Sequence, residues 1–224
     1  SGRDTSDPPD GIDDIPAQTV GVDGIPFQIM DDDDPFDEEM YSGRTDHDGY
    51  FDVTINWDDC DILGCDDPDI YIRWECDTGT VNVQSSGIIE EDYSWSTEDT
   101  GMISNFTGTE VDFGWLSPTD SDDHPALHIF NSITRAHRFI ETRVGLDVPE
   151  VDVQWPEDDT NSYYNTFFEE IHIVGSQEWQ EATHVHEYGH HFLENFTTTI
   201  SPDYCNDFCD EDPSWPFPDC GHCT

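Results

Sequence analysis

The acidic side chains constrain this chain more than any other feature of its sequence. Its 224 residues include 53 Asp and Glu but only six basic residues, all of them arginine, which gives a formal net charge of −47. A field of this sign repels nucleic acid and anionic membrane surfaces, and it also works against a compact state. We therefore exclude nucleic acid as a partner.

The aromatic content argues against disorder, which is one common meaning of such an acidic composition. Aromatic residues make up 12% of the chain, and seven of them are tryptophan. Clustered carboxylates suit Ca²⁺, a hard cation that takes oxygen ligands. The candidate calcium ligands are Asp31, Asp32, Asp33, Asp34, Asp46 and Asp48. Adaptation to high salt would also explain the composition, and a solvated loop or a turn would explain these aspartates.

The cysteines and two glycosylation sequons predict a secreted, extracellular protein. The disulfide candidates form two clusters: Cys60, Cys65 and Cys76 in a β-like region, and Cys205, Cys209, Cys220 and Cys223 in a C-terminal loop that also fits a zinc knuckle. Asn105 and Asn195 begin the sequons. Since the chain starts without methionine, we expect a removed signal peptide or a truncated chain. Since it ends inside a cysteine-rich loop, we expect the polypeptide to continue past Thr224. No stretch approaches transmembrane length.

Four segments are predicted along the chain. Residues 1–24 form an extended acidic arm, rich in Asp, Pro and Gly and without helical periodicity. Residues 25–118 form an antiparallel β-sandwich module, residues 119–200 an α/β region, and residues 201–224 the cysteine-rich loop. The fold class is therefore α+β. Bound calcium, a groove on this chain or a neighbouring copy would hold the arm in place, so self-association is one expected role for it.

The pattern from Ile25 to about Ser86 predicts β-structure. Short strands are expected at IPFQIM, at Phe51–Trp57, and on both sides of a tight turn in IYIRWEC-DTG-TVNVQSS. The acidic residues 31–34 and 37–39 are expected to form a loop between strands. Alternating apolar residues predict an inward face at Ile70, Ile72, Trp74 and Cys76.

One short motif in this region resembles a known hairpin. Residues 45–51, Thr-Asp-His-Asp-Gly-Tyr-Phe, resemble the T-D-x-D-G-x-F hairpin of transthyretin-like, carboxypeptidase-regulatory-type β-sandwiches. That resemblance implies a seven-stranded sandwich that acts as an accessory or adhesion module.

Helical periodicity first becomes clear after residue 123. Pro125 suits a first turn that Asp122 or Asp123 would cap, apolar residues recur from Ala126 to Val144, and Gly145 ends the pattern. VDVQWP and EEIHIVGS then predict strands. A second helix is expected from Ser176 or Gln177, and it carries Trp179, Ala182, Val185, Tyr188, Gly189, Phe192 and Phe196.

Residues 186–190 of that second helix read His-Glu-Tyr-Gly-His, an H-E-x-x-H motif. Histidines four residues apart lie on one face of a helix, which suits His186 and His190 as ligands of one Zn²⁺ ion. Glu187 would then be the general base that activates a zinc-bound water. We expect Gly189 to allow another backbone to approach the helix. His184, His191 and His172 are better explained as structural histidines.

The order of helix, strand, strand and H-E-x-x-H helix resembles the N-terminal half of zincin metallopeptidases. The resemblance implies a short β-sheet in which EEIHIVG is the edge strand along the substrate cleft. The metzincin extension would require Gly and His where this chain has Leu193 and Phe196, so the gluzincin group fits better. Its third ligand is a Glu from a later helix, and Glu194 lies about 12 Å from the first histidine along the helix, too far to share one ion.

Two functions from different classes follow. The first is a secreted zinc metallopeptidase that hydrolyses peptide bonds in a peptide or protein substrate. The alternative is an extracellular structural or adhesive protein, or a fibre subunit, that calcium stabilises and that keeps an incomplete peptidase-derived domain. The acidic arm favours the second, and the H-E-x-x-H motif favours the first.

Overall fold

The computed structural model describes residues 20–33, 36–57, 67–87, 89–120 and 123–196. Within these ranges the chain forms two four-stranded sheets, two long helices and one short helix, so the prediction of an α+β fold is confirmed. Most of the predicted acidic arm and the whole cysteine-rich loop lie outside the described residues.

The first sheet is antiparallel and has the strand order β2-β1-β3-β5. Its strands are β1 (Pro26–Asp31), β2 (Glu38–Arg44), β3 (Ile70–Glu75) and β5 (Ser94–Ser96). The strand predicted at IPFQIM is confirmed as β1. The predicted inward face is also confirmed, because Ile70, Ile72, Trp74 and Cys76 are all buried.

The second sheet has the strand order β4-β6-β8-β7. Its strands are β4 (Val81–Ser85), β6 (Val151–Glu157), β7 (Tyr163–Asn165) and β8 (Glu170–Val174). β4, β6 and β8 run parallel, whereas β7 pairs antiparallel with β8. The strands predicted at VDVQWP and EEIHIVGS are confirmed as β6 and β8.

The strand β4 links the two parts of the chain. It follows β3 after a short turn, as predicted, but the two strands belong to different sheets. Its partner β6 lies beyond the predicted segment boundary at residues 118 and 119. Residues 25–118 thus contribute five described strands to two sheets, whereas the transthyretin-like resemblance implies seven strands in one sandwich.

Helix α2 (His124–Phe139) lies in the long connection that two parallel strands, β4 and β6, require. Pro125 lies in the first turn, as the sequence predicts. Asp123 occupies the N-cap position but makes no side-chain cap bond, because its carboxylate accepts the Trp95 indole N–H at 3.0 Å. A π-helical turn (Ile140–Val144) continues the helix until Gly145, whose φ of 74° ends it. The short helix α1 (Glu98–Gly101) comes earlier in the chain, directly after β5.

The core is one cluster that joins both sheets to α2. Val83 of β4, Val153 of β6, Ile171 of β8 and Phe130 of α2 are all fully buried and belong to it, together with Ile72 of the first sheet. Each such side chain contributes about 1.5–3 kcal/mol by leaving water. This apolar contact holds a chain of high negative charge in a compact state.

Three local predictions are wrong. Residues 51–57 form no strand, although their side chains alternate between half-buried and exposed as an extended segment requires. The acidic run is only partly a loop, because Asp31 ends β1 and Glu38 and Glu39 begin β2. β8 is not an edge strand, because β6 and β7 cover both of its sides.

Candidate zinc site on helix α3

The H-E-x-x-H motif lies in the middle of helix α3 (Glu181–Phe196), as predicted. The buried side chains of this helix are His184, Glu187, Tyr188 and His191. These positions follow the i, i+3, i+4, i+7 spacing of one helix face, so the helix packs against the protein through polar side chains. The helix begins at Glu181, later than the expected Ser176 or Gln177, and of its apolar residues Tyr188 is buried whereas Val185 is 42% exposed.

Hydrogen bonds pair most of this polar face, although Nδ1 of His184 is buried without a hydrogen-bond partner among the described residues. Nε2 of His184 donates to the carbonyl of Gln177 at 3.1 Å. Nε2 of His191 donates to the carbonyl of Pro149 at 3.1 Å, so its Nδ1 is left to accept from the Tyr164 hydroxyl at 3.3 Å. Buried polar groups are costly unless they are paired in this way. The contacts with Pro149 and Tyr164 fix α3 to the loop before β6 and to the edge strand β7.

A third contact joins α3 to α2 through the motif itself. Tyr188, the first variable residue of H-E-x-x-H, lies 2.9 Å from Nδ1 of His137 through its hydroxyl. Nε2 of His137 is 3.7 Å from the Glu141 carboxylate, which is longer than a hydrogen bond. The Tyr188 hydroxyl and Nδ1 of His137 form one hydrogen bond, and the His137 tautomer sets which of the two donates. His137 and Tyr164 are positioning residues that the sequence pattern did not indicate.

Burial keeps these histidines neutral. Desolvation lowers the pKa of His184 to about 3, with repulsion from His128 as a second cause. Desolvation also lowers the pKa of His137 and of His191. A neutral imidazole keeps one donor and one acceptor nitrogen, which the bonds of His191 and His137 require. The prediction that His184 and His191 are structural is consistent with this environment.

His186 and His190 lie on the other side of α3 and, unlike His184 and His191, are not fully buried. His186 is exposed and His190 is half-buried. Their Nε2 atoms are 3.2 Å apart, and their rings are nearly perpendicular, with centroids 4.8 Å apart. Tetrahedral zinc holds nitrogen ligands at about 2.0–2.1 Å, which places two of them about 3.3 Å apart. The contact is a hydrogen bond between the two rings, and its length also equals the spacing of two ligand positions on one zinc ion.

Glu187, the proposed base, belongs to the buried face of α3. The residue is 7% exposed and follows His186 directly. Gly189 differs from expectation: no heavy atom of the described residues lies within 4 Å of a Cβ placed there, so no described backbone uses it for close approach.

A third protein ligand is not found among the described residues. In residues 20–33, 36–57, 67–87, 89–120 and 123–196, no three His, Cys, Asp or Glu side chains form a group that could hold a metal ion. Glu194 is exposed on the last turn of α3, and Leu193 and Phe196 occupy the positions of the metzincin extension.

The calcium candidates do not come together. Asp31 is 1% exposed, and its carboxylate accepts bonds from the backbone N–H of Asp69 at 2.7 Å and from the Trp57 indole at 3.2 Å. It lies at one end of the β1–β2 ribbon, whereas Asp46 follows the other end. Asp32 and Asp33 are half-buried beside Asp31, and Asp34 lies outside the described residues.

Asp46 and Asp48 belong to a turn, as their sequence context predicts. The Asp46 carboxylate accepts the backbone N–H groups of Asp48 and Tyr50, both at 2.9 Å. The bond from Tyr50 is the largest cause of the lowered pKa of Asp46. Gly49 has a φ of +80°, and its N–H donates to the Asp46 carbonyl at 3.0 Å. The Asp48 carboxylate lies 3.2 Å from Nε2 of His47.

The remaining candidates are scattered. Cys76 is a free, fully buried thiol, and desolvation raises its pKa well above the usual value. Asn105 is exposed with a φ of 52°, whereas the Asn195 amide donates to the His191 carbonyl at 3.0 Å. His172 is 7% exposed, with Nδ1 2.9 Å from the Glu157 carboxylate. The other six cysteines lie outside the described residues.

No family model matches the chain, and no curated protein or solved structure is found to be similar to it. Within the described ranges, no helix has both the length and the apolar content that crossing a membrane requires. The functional argument therefore depends on the geometry of the residues described above.

Proposed function

We propose that this chain is a zinc metallopeptidase of the gluzincin type. The observation that carries the proposal is the 3.2 Å separation between Nε2 of His186 and Nε2 of His190, which matches the spacing of two ligands on tetrahedral zinc. A bound zinc ion would lower the pKa of a coordinated water and polarise the carbonyl of a peptide bond.

Glu187 is the proposed general base. Its carboxylate would accept a proton from the attacking water and later deliver that proton to the leaving amine. The buried contacts of His184, Tyr188 and His191 support this role because they fix the rotation of α3. A fixed rotation directs His186 and His190 to the opposite, accessible side of the helix.

The substrate would pair with β7 and not with β8. β7 (Tyr163–Asn165) is the outer strand of the second sheet, and β8 lies on its other side. An extended peptide can add to an open sheet edge through main-chain hydrogen bonds. The Tyr164 hydroxyl lies 3.3 Å from Nδ1 of His191, which connects this edge to the motif helix.

The described residues do not supply the third zinc ligand that the proposal requires. The gluzincin resemblance implies a Glu from a segment that follows the motif helix. Such a ligand would come from residues 197–224 or from a longer polypeptide. The proposal therefore predicts tighter zinc binding in any longer form of the chain that adds this segment.

The first experiment measures zinc content and peptidase activity together. We expect about one zinc per chain and cleavage of a mixed fluorogenic peptide library. Glu187→Gln should lower kcat/KM by about 10²- to 10⁴-fold while zinc remains bound, because only the proton acceptor is lost. The control is Glu194→Gln, an exposed residue of the same helix, which should retain full activity. Protein without zinc, or equal activity in both variants, would refute the proposal.

A further inference from the structure

A cavity of about 310 Å³ lies between the first sheet, helix α2 and the loop of residues 111–118. Three of the seven tryptophans of the chain line it, namely Trp74, Trp115 and Trp179. Neither His186 nor His190 is among the lining residues. The cavity is therefore a separate feature from the candidate zinc site and needs its own explanation.

The aromatic side chains occupy both the base and the rim of the cavity. Phe27 and Trp74 are buried, with 3% and 7% of their surface exposed. Trp115 and Tyr50 also line the cavity but are 61% and 70% exposed. Single exposed aromatic residues are common, but two around the mouth of one aromatic cavity indicate a surface prepared for a ligand.

The acidic residues that line the cavity are Asp48 and Asp112, and none of the described lining residues is an arginine. Asp48 also lies 3.2 Å from Nε2 of His47 and borders a second pocket that Arg135 and Arg138 line, so among the described lining residues Asp112 is the carboxylate with no such neighbour there. The Asp112 carboxylate accepts the backbone N–H of Gly114 at 2.8 Å, which holds it in place beside the loop. The net charge of −47 adds a field that repels anions and concentrates cations.

We propose that this cavity binds an organic cation, namely an ammonium group on a small apolar body. Aromatic faces attract such a cation through their quadrupole, and tryptophan does so most strongly. Asp48 and Asp112 would complement the positive charge, while Phe27 and Trp74 would cover the apolar part. An anion meets repulsion here, and a neutral ligand gains only the apolar contact.

The test compares two ligands of nearly equal shape that differ in charge. Choline carries a quaternary ammonium, and 3,3-dimethylbutan-1-ol has a neutral carbon in its place. Calorimetry and tryptophan fluorescence should show choline binding about tenfold more tightly. Added salt should weaken choline binding and leave the alcohol unchanged, because only the charged ligand responds to screening.

Matched variants assign the site. Trp115→Leu should weaken choline binding about tenfold. Because Trp115 is 61% exposed, we expect this variant to fold. Asp112→Asn keeps an oxygen for the Gly114 N–H and should weaken choline but not the alcohol. The control Phe167→Leu replaces an aromatic residue that is 84% exposed and does not line the cavity, so it should bind choline normally.

Three results would overturn the proposal. These are equal affinity for choline and 3,3-dimethylbutan-1-ol, absence of binding by both ligands at millimolar concentration, and choline binding by Trp115→Leu that equals the wild type while circular dichroism shows both folded. Loss of peptidase activity in Glu187→Gln has no bearing on any of them, since Glu187 does not line the cavity.

Discussion

Helix α3 carries two pairs of histidines in opposite environments. His184 and His191 are fully buried, and each bonds a backbone carbonyl through Nε2. His186 and His190 are accessible and have their Nε2 atoms 3.2 Å apart. The pairs are interleaved within eight residues, so sequence proximity says little about role. The burial of each ring, and not its place in the sequence, separates the two pairs.

In the proposed zinc site, the buried face of α3 fixes the orientation of the accessible histidine pair. Two metal ligands on a helix are useful only when the rotation of that helix is fixed, because a small rotation moves both nitrogens. The contacts with Pro149, Gln177 and His137 supply this constraint from three separate elements. The comparison therefore predicts that substitutions in the two pairs change different measured quantities.

The largest expected effect separates zinc binding from stability. His190→Ala removes a proposed ligand and should weaken zinc binding by at least about 100-fold. This minimum is set by residues that only hydrogen-bond to a metal ligand, whose loss weakens metal binding by up to about 100-fold. Because His190 is half-buried and is not one of the buried residues of α3, the free energy of unfolding should change little. Competition with a chromogenic chelator measures the zinc affinity, and urea denaturation measures the free energy of unfolding.

His191→Ala is the matched substitution one residue further along. It leaves a cavity and unpairs the Pro149 carbonyl and the Tyr164 hydroxyl, so we expect a loss of about 2–4 kcal/mol in unfolding free energy. The folded fraction should still bind zinc. The comparison fails if His190→Ala keeps full zinc affinity, or if both variants lose stability equally.

The second effect is a difference in pH dependence. The unfolded chain protonates its histidines near pH 6.5, whereas burial lowers the pKa of His184 to about 3 in the folded state. Between these values the unfolded state binds more protons, so the stability that neutral His184 contributes is present above pH 6.5 and is lost on acidification. The slope is about 1.4 kcal/mol per pH unit at most.

Carboxyl groups act in the opposite direction and require a differential measurement. Burial raises the pKa of Asp23, Asp152 and Glu170, so protonation of these groups favours the folded state as pH falls. Unfolding of wild type and His184→Gln should therefore be compared between pH 7 and pH 5. The wild type should lose stability more steeply, and the control Val185→Ala, which removes no titratable group, should follow the wild type. Parallel curves for all three proteins would contradict the assignment.

Local sequence patterns predicted most of the helices and strands, but they could not predict the sheet pairings that depend on residues far apart in the chain. Helix α2 and strands β1, β6 and β8 follow from periodicity within a single segment. The departure of β4 from β3 into another sheet depends on pairing with β6, about 70 residues away, which no local pattern records. β7 was missed because its three residues lie in an aromatic stretch too short to show alternation.

The site shows the same limit. The spacing of His186 and His190 indicated a shared face, since helix geometry fixes it. The contacts that form the buried face are histidine and tyrosine bonds to Pro149, Tyr164 and His137. Such polar packing has no hydrophobic period, so the sequence did not indicate which face of the helix is buried; Val185, for example, is 42% exposed.

The smallest expected effect concerns the link between α2 and the motif. Tyr188→Phe keeps the buried ring but removes the hydroxyl that is hydrogen-bonded to Nδ1 of His137. We expect a loss of about 1 kcal/mol in unfolding free energy, because one neutral hydrogen bond is removed while the His137 ring stays buried. Val185→Ala, at an exposed position of the same helix, should change stability by less than about 0.5 kcal/mol. If Tyr188→Phe were as neutral as Val185→Ala, the hydroxyl would not fix the helix, and the constraint would come from His184 and His191 alone.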